Sequence, residues 1–317
     1  MKGRKSSCYL GIDIGGTNIR LGVVDDKGKI LLKKRLPTLK EQGKKVVIVR
    51  FLKAIDSVIK NSKYTIKGIG IGCPGPLDSK KGIVLSPPNL PDWKNVPLRE
   101  IVKRRFNLPV YLENDANCAG LGENWQGAGK GASSMVLLTL GTGIGSALIL
   151  NKKLWKGKDG FASEFGHVSI NPKGPKCKCG NRGCLELYAS ATAVARRMKQ
   201  TLKKGIKSKV FKSTKEKITA AKIYQAAKMG DVISKRILDE AGFYLGVAIA
   251  NIVNALNPEI VVLSGGMTKA GRLLFDKIKE TVKARAFKEA IRGVKIVSGK
   301  LGEDAGIIGA SWRVKNL

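Results

Sequence analysis

CYLGIDIGGTNIRLGVVDD at 8–26 and SMVLLTLGTGIGSALIL at 134–150 share one construction: an apolar strand, a turn of glycine and threonine, and a second apolar strand. Runs of β-branched and apolar residues bounded by glycine turns read as strands joined in a hairpin. The repetition of that unit more than a hundred residues later divides the chain into two similar halves. Outward from the first unit, KGKILLKKRLP reads as a third strand. Residues 44–60 then place Val46, Val47, Phe51, Leu52, Ile55, Val58 and Ile59 at helical spacing. IKGIGIGCPGP at 66–76 and VYLEND at 110–115 are further strands, each ending in polar or turn residues. Outward from the second unit, helical patterns cover 190–204, 218–228 and 231–256. In the last of these, Gly242, Gly246 and Ala250 permit close approach of a neighbour. The strand EIVVLSGG, a helix over 268–288, the strand VKIVSG and a helix over 304–316 complete the chain. Strands alternating with helices predict an α/β protein whose ligands bind beyond the strand ends, and two halves predict two lobes with a cleft.

The chain has 317 residues, 43% of them apolar, enough for a substantial core. Its longest apolar runs, such as MVLLTL, are far shorter than the roughly twenty residues that cross a bilayer. MKGRKSSCYL lacks the apolar core of an export signal, so a cytoplasmic protein with no membrane partner is expected. Lys and Arg number 59 against 24 Asp and Glu, a net charge of +35 that attracts polyanions. The lysines recur along the whole chain without interleaved aromatics, which reads as a solvated surface and predicts no specific nucleic-acid partner.

Each motif can be read for its chemistry. In DIGGTNIR, Gly15 and Gly16 let backbone N–H groups approach an anion, and Asp13, Thr17 and Asn18 add polar reach. Asp13 could hold Mg²⁺ through water beside a phosphate. Alone, the turn is equally an ordinary hairpin. Gly141, Thr142 and Gly143 of LGTGIGS form a second such turn, and Gly265 and Gly266 of LSGGM a third, where an adenosine could lie against backbone. No Walker A motif or protein-kinase loop set is present. LENDANCAG at 112–120 puts Glu113, Asn114 and Asp115 at a strand end, where carboxylates and amides could orient hydroxyls, although an acidic strand end is often only a loop.

His167, the chain's single histidine, stands before Cys177, Cys179 and Cys184 in the pattern H-x9-C-x-C-x4-C. Three thiolates and an imidazole form a closed tetrahedral set that suits structural Zn²⁺ and leaves no position for a substrate water. Cys8, Cys73 and Cys118 lie among apolar or small residues and read as buried hydrophobes.

Taken together, DIGGTNIR, LGTGIGS and LSGGM resemble the phosphate and adenosine motifs of the actin, sugar kinase and Hsp70 superfamily. The chain resembles in particular the ROK family (repressors, open reading frames, sugar kinases), over residues 8–312, and CKCGNRGCLE is similar to that family's zinc motif. The resemblance implies two ribonuclease-H-like lobes of the actin-like ATPase type. The N-terminal lobe covers 1–120 and is joined by the C-terminal helix 304–317. The C-terminal lobe covers 121–303 and contains the zinc loop 157–186. It further implies ATP with Mg²⁺ as phosphoryl donor and a hexose as acceptor, glucose at its 6-hydroxyl before N-acetylmannosamine, fructose or mannose. Asp115 matches the catalytic base, and Gly75, Asn89, Asn114, Asp115, Glu164, His167 and Glu186 match sugar-contacting positions. With one nitrogen of His167 on zinc and the other toward a hydroxyl, the base falls to Asp115. A homodimer or dimer of dimers is implied as well. Polyphosphate is the alternative donor. A sugar-responsive repressor is the alternative of another class, disfavoured because only seven residues precede the first strand, too few for a DNA-reading helix.

Overall fold

A computed structural model describes residues 7–317, which fall into two compact units. The first comprises 7–133, 147–163 and 300–317 of the described residues, and the second 134–146 and 164–299. In the first, β1 (Ser7–Ile14), β2 (Asn18–Asp25) and β3 (Ile30–Pro37) form an antiparallel meander, and helix α1 (Lys44–Asn61) crosses back to β4 (Thr65–Cys73). Val47, Phe51, Ala54, Ile55 and Val58 make the buried stripe of α1. A small hairpin, β5 (Leu77–Asp78) with β6 (Ile83–Val84), precedes α2 (Leu98–Phe106), and β7 (Val110–Asn114) runs directly into α3 (Asp115–Gln126). The sheet order is β3-β2-β1-β4-β7, with β1, β4 and β7 parallel, so β1, β4 and β7 end on the same edge. The expected lobe boundary at residue 120 falls inside α3.

The second sheet has the order β10-β9-β8-β11-β12, from β8 (Met135–Leu140), β9 (Ile144–Leu150), β10 (Lys153–Leu154), β11 (Ile260–Ser264) and β12 (Lys295–Ser298). The helices of the second unit are α4 (Glu186–Ala189), α5 (Ala191–Lys203), α6 (Ala220–Lys228), α7 (Val232–Leu256), α8 (Arg272–Arg285) and α9 (Lys288–Ile291). The expected helix over 268–288 is broken. Gly271, at φ 55°, separates a 3₁₀ turn over Gly266–Ala270 from α8. The neighbour anticipated for the small residues of α7 is α8: a Cβ on Gly242 would stand 3.0 Å from Lys277 Cβ. Among the described residues α7 alone is long and apolar enough to cross a bilayer, but Leu238, Leu245, Ile249 and Val253 are all buried in the core.

The final helix, α10 (Ala305–Lys315), belongs to the first unit and lies backbone to backbone on its sheet. A Cβ on Gly11 or Gly70 would overlap the carbonyl oxygens of Ile307 and Ala310. Its neighbour α3 is as close, since a Cβ on Gly122 would overlap the Ala305 carbonyl and one on Gly309 the Cys118 carbonyl. The Glu123 carboxylate, 0% exposed, accepts from the backbone N–H groups of Ala128, Lys300 and Leu301 at 2.7, 3.1 and 2.9 Å and so ties α3 to the segment leading into α10. Gly309→Ala should therefore destabilise the protein. Alanine gains up to about 1 kcal/mol of helix propensity, but wedging a Cβ against main chain costs roughly 1–3 kcal/mol or more. Urea unfolding followed by circular dichroism should show a lower midpoint.

Candidate active site

In the first unit the strand ends carry the polar groups. The turn after β1 is closed by Gly15 N–H donating to the Asn18 carbonyl at 2.9 Å. It is held from outside by Thr38, whose Oγ1 donates to the Gly15 carbonyl at 2.6 Å and whose N–H donates to the Thr17 carbonyl at 2.9 Å. Asp13, at the end of β1, pairs with Arg20 at 3.1 Å and lies against the first turn of α10, where a Cβ on Gly306 would sit 3.2 Å from its Cγ. Burial raises the Asp13 pKa, Arg20 opposes that, and Glu303 adds to it. The loops after β4 reach the same motifs. Asn89 lies beside the turn, 3.1 Å from a Cβ placed on Gly16, and Gly75, followed by a cis Pro76, lies beside Asn114 Nδ2.

Asn114 and Asp115 sit where β7 becomes α3. Asn114 is the N-cap: its Oδ1 accepts from Ala116 N–H at 2.9 Å and Asn117 N–H at 3.2 Å. That commits the oxygen to the helix, so the amide nitrogen is the end with which Asn114 would meet a hydroxyl. Asp115 is the first residue of α3, its Oδ1 accepting from Ala116 N–H at 2.8 Å, and the positive end of the helix favours its carboxylate. Asp13 and Asp115 share a neighbourhood. The Cys73 thiol, fully buried, is pushed well up first by burial and then by the fields of Asp115 and Asp13.

Behind this edge lies a buried pair that sequence reasoning did not find. Glu113, 2% exposed, accepts from Asn114 N–H at 3.0 Å and from Asn117 Nδ2 at 3.2 Å, and pairs with Lys156 Nζ at 3.3 Å. Lys156 also donates to Ser79 Oγ at 3.0 Å and Tyr111 Oη at 3.2 Å. Burial acts to lower the Lys156 pKa, but Glu113 and Tyr111 outweigh it and hold the ammonium above its usual value. The pair braces Asn114 and Asn117 at the start of α3. Nothing local to Lys156 signals this, because its partner is 43 positions away (156 − 113).

In the second unit, the β8–β9 turn is closed by Gly141 N–H donating to the Gly143 carbonyl at 3.0 Å, and Gly145 N–H donates to Thr139 Oγ1 at 3.2 Å. Gly265, at φ 95°, packs against the Leu140 main chain in a conformation and space open only to glycine. Gly141, Thr142, Gly266, Met267, Tyr224 and Gln225 line part of a cavity of about 510 Å³, largely apolar, of the size and character that receives a planar heterocycle. Its far walls come from α6 and the 3₁₀ turn, which the glycine motifs alone did not reveal.

The loop after β10 assembles the cysteines. The ligand atoms of His167, Cys177, Cys179 and Cys184 lie within 4.8 Å of one another, with His167 Nδ1 3.8 Å from Cys177 Sγ and Cys179 Sγ 3.6 Å from Cys184 Sγ. Gly180 and Gly183, both at positive φ, bend the chain between ligands. Burial followed by the neighbouring sulfurs pushes the Cys184 thiol up to about 12, while the Asn181 backbone lowers that of the exposed Cys179. Thiols crowded so closely repel one another as thiolates, and a bound cation removes that repulsion. Because Nδ1 faces the sulfurs, Nε2 is the remaining His167 nitrogen. Glu164, His167 and Glu186 are neighbours: burial raises the Glu164 pKa, His167 lowers it and Glu186 raises it. One carboxylate oxygen of Glu186 accepts from Ile144 N–H at 3.0 Å, so this residue also touches the β8–β9 turn.

The chain is similar to known proteins over nearly its whole length. The ROK family profile matches residues 9–316. The chain is 42% identical over 308 residues to a glucokinase of Thermotoga maritima, covering 96% of each, and 35% identical to a xylose repressor of Caldicellulosiruptor bescii, covering 95% of this chain and 76% of that one. Among solved structures it is similar to a ROK family glucokinase of Streptomyces griseus in complex with glucose and AMPPNP, at 32% identity and a TM-score of 0.84, covering 98% of this chain and 100% of that one. The chain belongs to the ROK family.

The Glu113–Lys156 pair yields a stability test. Lys156→Met leaves the buried Glu113 carboxylate without its cation, held by the Asn114 and Asn117 hydrogen bonds. Because the Lys156 side chain is 22% exposed, the expected loss is about 3 kcal/mol, the lower end of the range for breaking a buried pair. The folded pKa is raised, so the wild-type contribution is complete below the unfolded lysine value of about 10.4 and fades as pH climbs through the folded value. The difference in unfolding free energy between wild type and variant should accordingly shrink above that pH.

Proposed function

We propose that the chain is an ATP-dependent hexose kinase, a glucokinase in the first place, which transfers the γ-phosphoryl group of ATP to the 6-hydroxyl of glucose. The observation that carries this reading is Asp115 at the start of α3, beside its Asn114 cap and on a buried ion-paired support. A carboxylate so placed can take the proton of an attacking hydroxyl as its oxygen bonds to phosphorus and the ADP oxygen leaves. Asn114, Asn89 and the Gly75 loop would orient the sugar, together with Glu164, Glu186 and His167 through Nε2. The N–H groups of the turns at 15–18 and 141–143 would cradle the phosphates. The cavity beside Gly265 and Gly266 would take the adenosine. Asp13 would hold Mg²⁺ through water, the metal supplying charge to the phosphates. His167, Cys177, Cys179 and Cys184 would hold one structural Zn²⁺, fixing the loop that carries Glu164 and leads to Glu186. A homodimer or dimer of dimers in the cytoplasm completes the reading.

Two measurements test it. A coupled ADP-release assay over a panel of hexoses should show turnover, greatest with glucose, and Asp115→Asn should lower kcat by at least about a hundredfold, the scale of a lost general base. Sugar binding without turnover would instead favour a regulator, as the likeness to a xylose repressor allows. Elemental mass spectrometry should find one zinc per chain, lost in Cys179→Ser.

A further inference from the structure

Glu186 matches a sugar-contacting position, yet its carboxylate is bonded to the other substrate's turn, and it is not alone there. Ile144 N–H donates to Glu186 Oε2 at 3.0 Å, Ala191 N–H donates to the Gly141 carbonyl at 2.9 Å, and Thr192 Oγ1 donates to the Thr142 carbonyl at 2.8 Å. Three of the four residues of the 141–144 turn are thus held from one seven-residue segment. A Cβ on Gly143 would overlap the Glu186 carboxylate, so turn and segment are packed as well as bonded. The segment starts two residues after Cys184. Its root is fixed by pairing of Cys184 with Ser169, by Leu185 N–H donating to the Val168 carbonyl at 3.0 Å, and by the fully buried Leu185. It is stiff thereafter, since α4 buries Tyr188 and Ala189, and Ser190 caps α5 by accepting from Ala193 N–H at 3.1 Å.

We infer that residues 186–192 are a strut that transmits the state of the four-ligand loop to the phosphate turn, so that the metal sets affinity for the nucleotide as well as the shape of the sugar site. The turn's own closing bond, Gly141 N–H to Gly143, fixes its curvature but not its attitude, and the strut supplies the external points that aim its N–H groups. Glu186 serves as a positioning residue for the donor through Oε2 while its other oxygen remains for a hydroxyl. The inference rests on the turn at 141–143 binding phosphate.

The test measures binding in the absence of turnover. Calorimetry with Mg·ATP and, separately, with glucose is run on zinc-loaded protein, on protein stripped with a chelator, on stripped protein given zinc back, and on Thr192→Val. This near-isosteric change removes only the outermost bond. Thr192→Val should weaken ATP about three- to tenfold, the scale of one hydrogen bond, and leave glucose affinity within about twofold. Stripping should weaken ATP at least as much, and zinc should restore it. Amide hydrogen exchange should then rise at 141–145 in the stripped protein while β11 stays protected. Unchanged ATP affinity in both Thr192→Val and stripped protein, or loss confined to glucose, overturns the strut. If zinc-loaded wild type binds glucose but not ATP, the phosphate assignment of the turn fails and the strut with it. If stripping unfolds the chain globally, Thr192→Val decides.

Discussion

The first unit depends on main chain lying against main chain. Helix α10 can reach β1 and β4 only because Gly11 and Gly70 have no side chains, and it can reach α3 only because Gly122 and Gly309 have none. This contact fixes both carboxylates of interest. Asp13 at the end of β1 meets the first turn of α10, and Asp115 begins the helix that α10 clasps. The buried Glu123 carboxylate adds hydrogen bonds to the 300–301 backbone, so a side chain enforces what the glycines permit. Close packing of this kind gives each carboxylate one position rather than several.

Much of this was legible in the sequence because the governing constraints are local. Two strand–turn–strand units announced two α/β halves, and the helical spacing over 44–60, 190–204 and 231–256 matches α1, α5 and α7 to within a residue or two. The His167, Cys177, Cys179 and Cys184 cluster followed from spacing, since ligands for one ion must converge. What escaped had no local signature. Gly271 interrupts a continuous apolar period with a positive φ that a hydrophobic pattern does not encode. Lys156 is one lysine among many, and only the folded chain sets it against Glu113. Glu186 was expected, from the family resemblance, at the sugar, and nothing in the sequence pointed to its bond with the Ile144 amide.

The charge imbalance has a structural reading too. With 24 acidic residues against 59 basic ones, a notable share of the acids are committed to specific partners: Glu113 and Glu123 are buried, Asp13 and Glu186 serve turns, and Asp231 caps α7 while accepting from Ser208 and Lys209. These acids are spent on internal geometry, while the excess of 35 positive charges, set by the composition, is left to the rest of the chain. Isolated surface pairs such as Lys60–Asp56 contribute little to stability.

The discontinuity of the first unit bears on how the chain is made. The helix that completes the packing around Asp13 and α3 spans 305–315, and every residue of the second unit precedes it in the chain. Vectorial synthesis ordinarily lets the N-terminal domain mature first. Here the order is reversed: while the second unit is being made the sheet of β1, β4 and β7 waits with an uncovered glycine-lined face, and the surroundings of Asp13 are completed only once a later stretch, 305–315, has been added and folds back across the whole of the second unit's sequence.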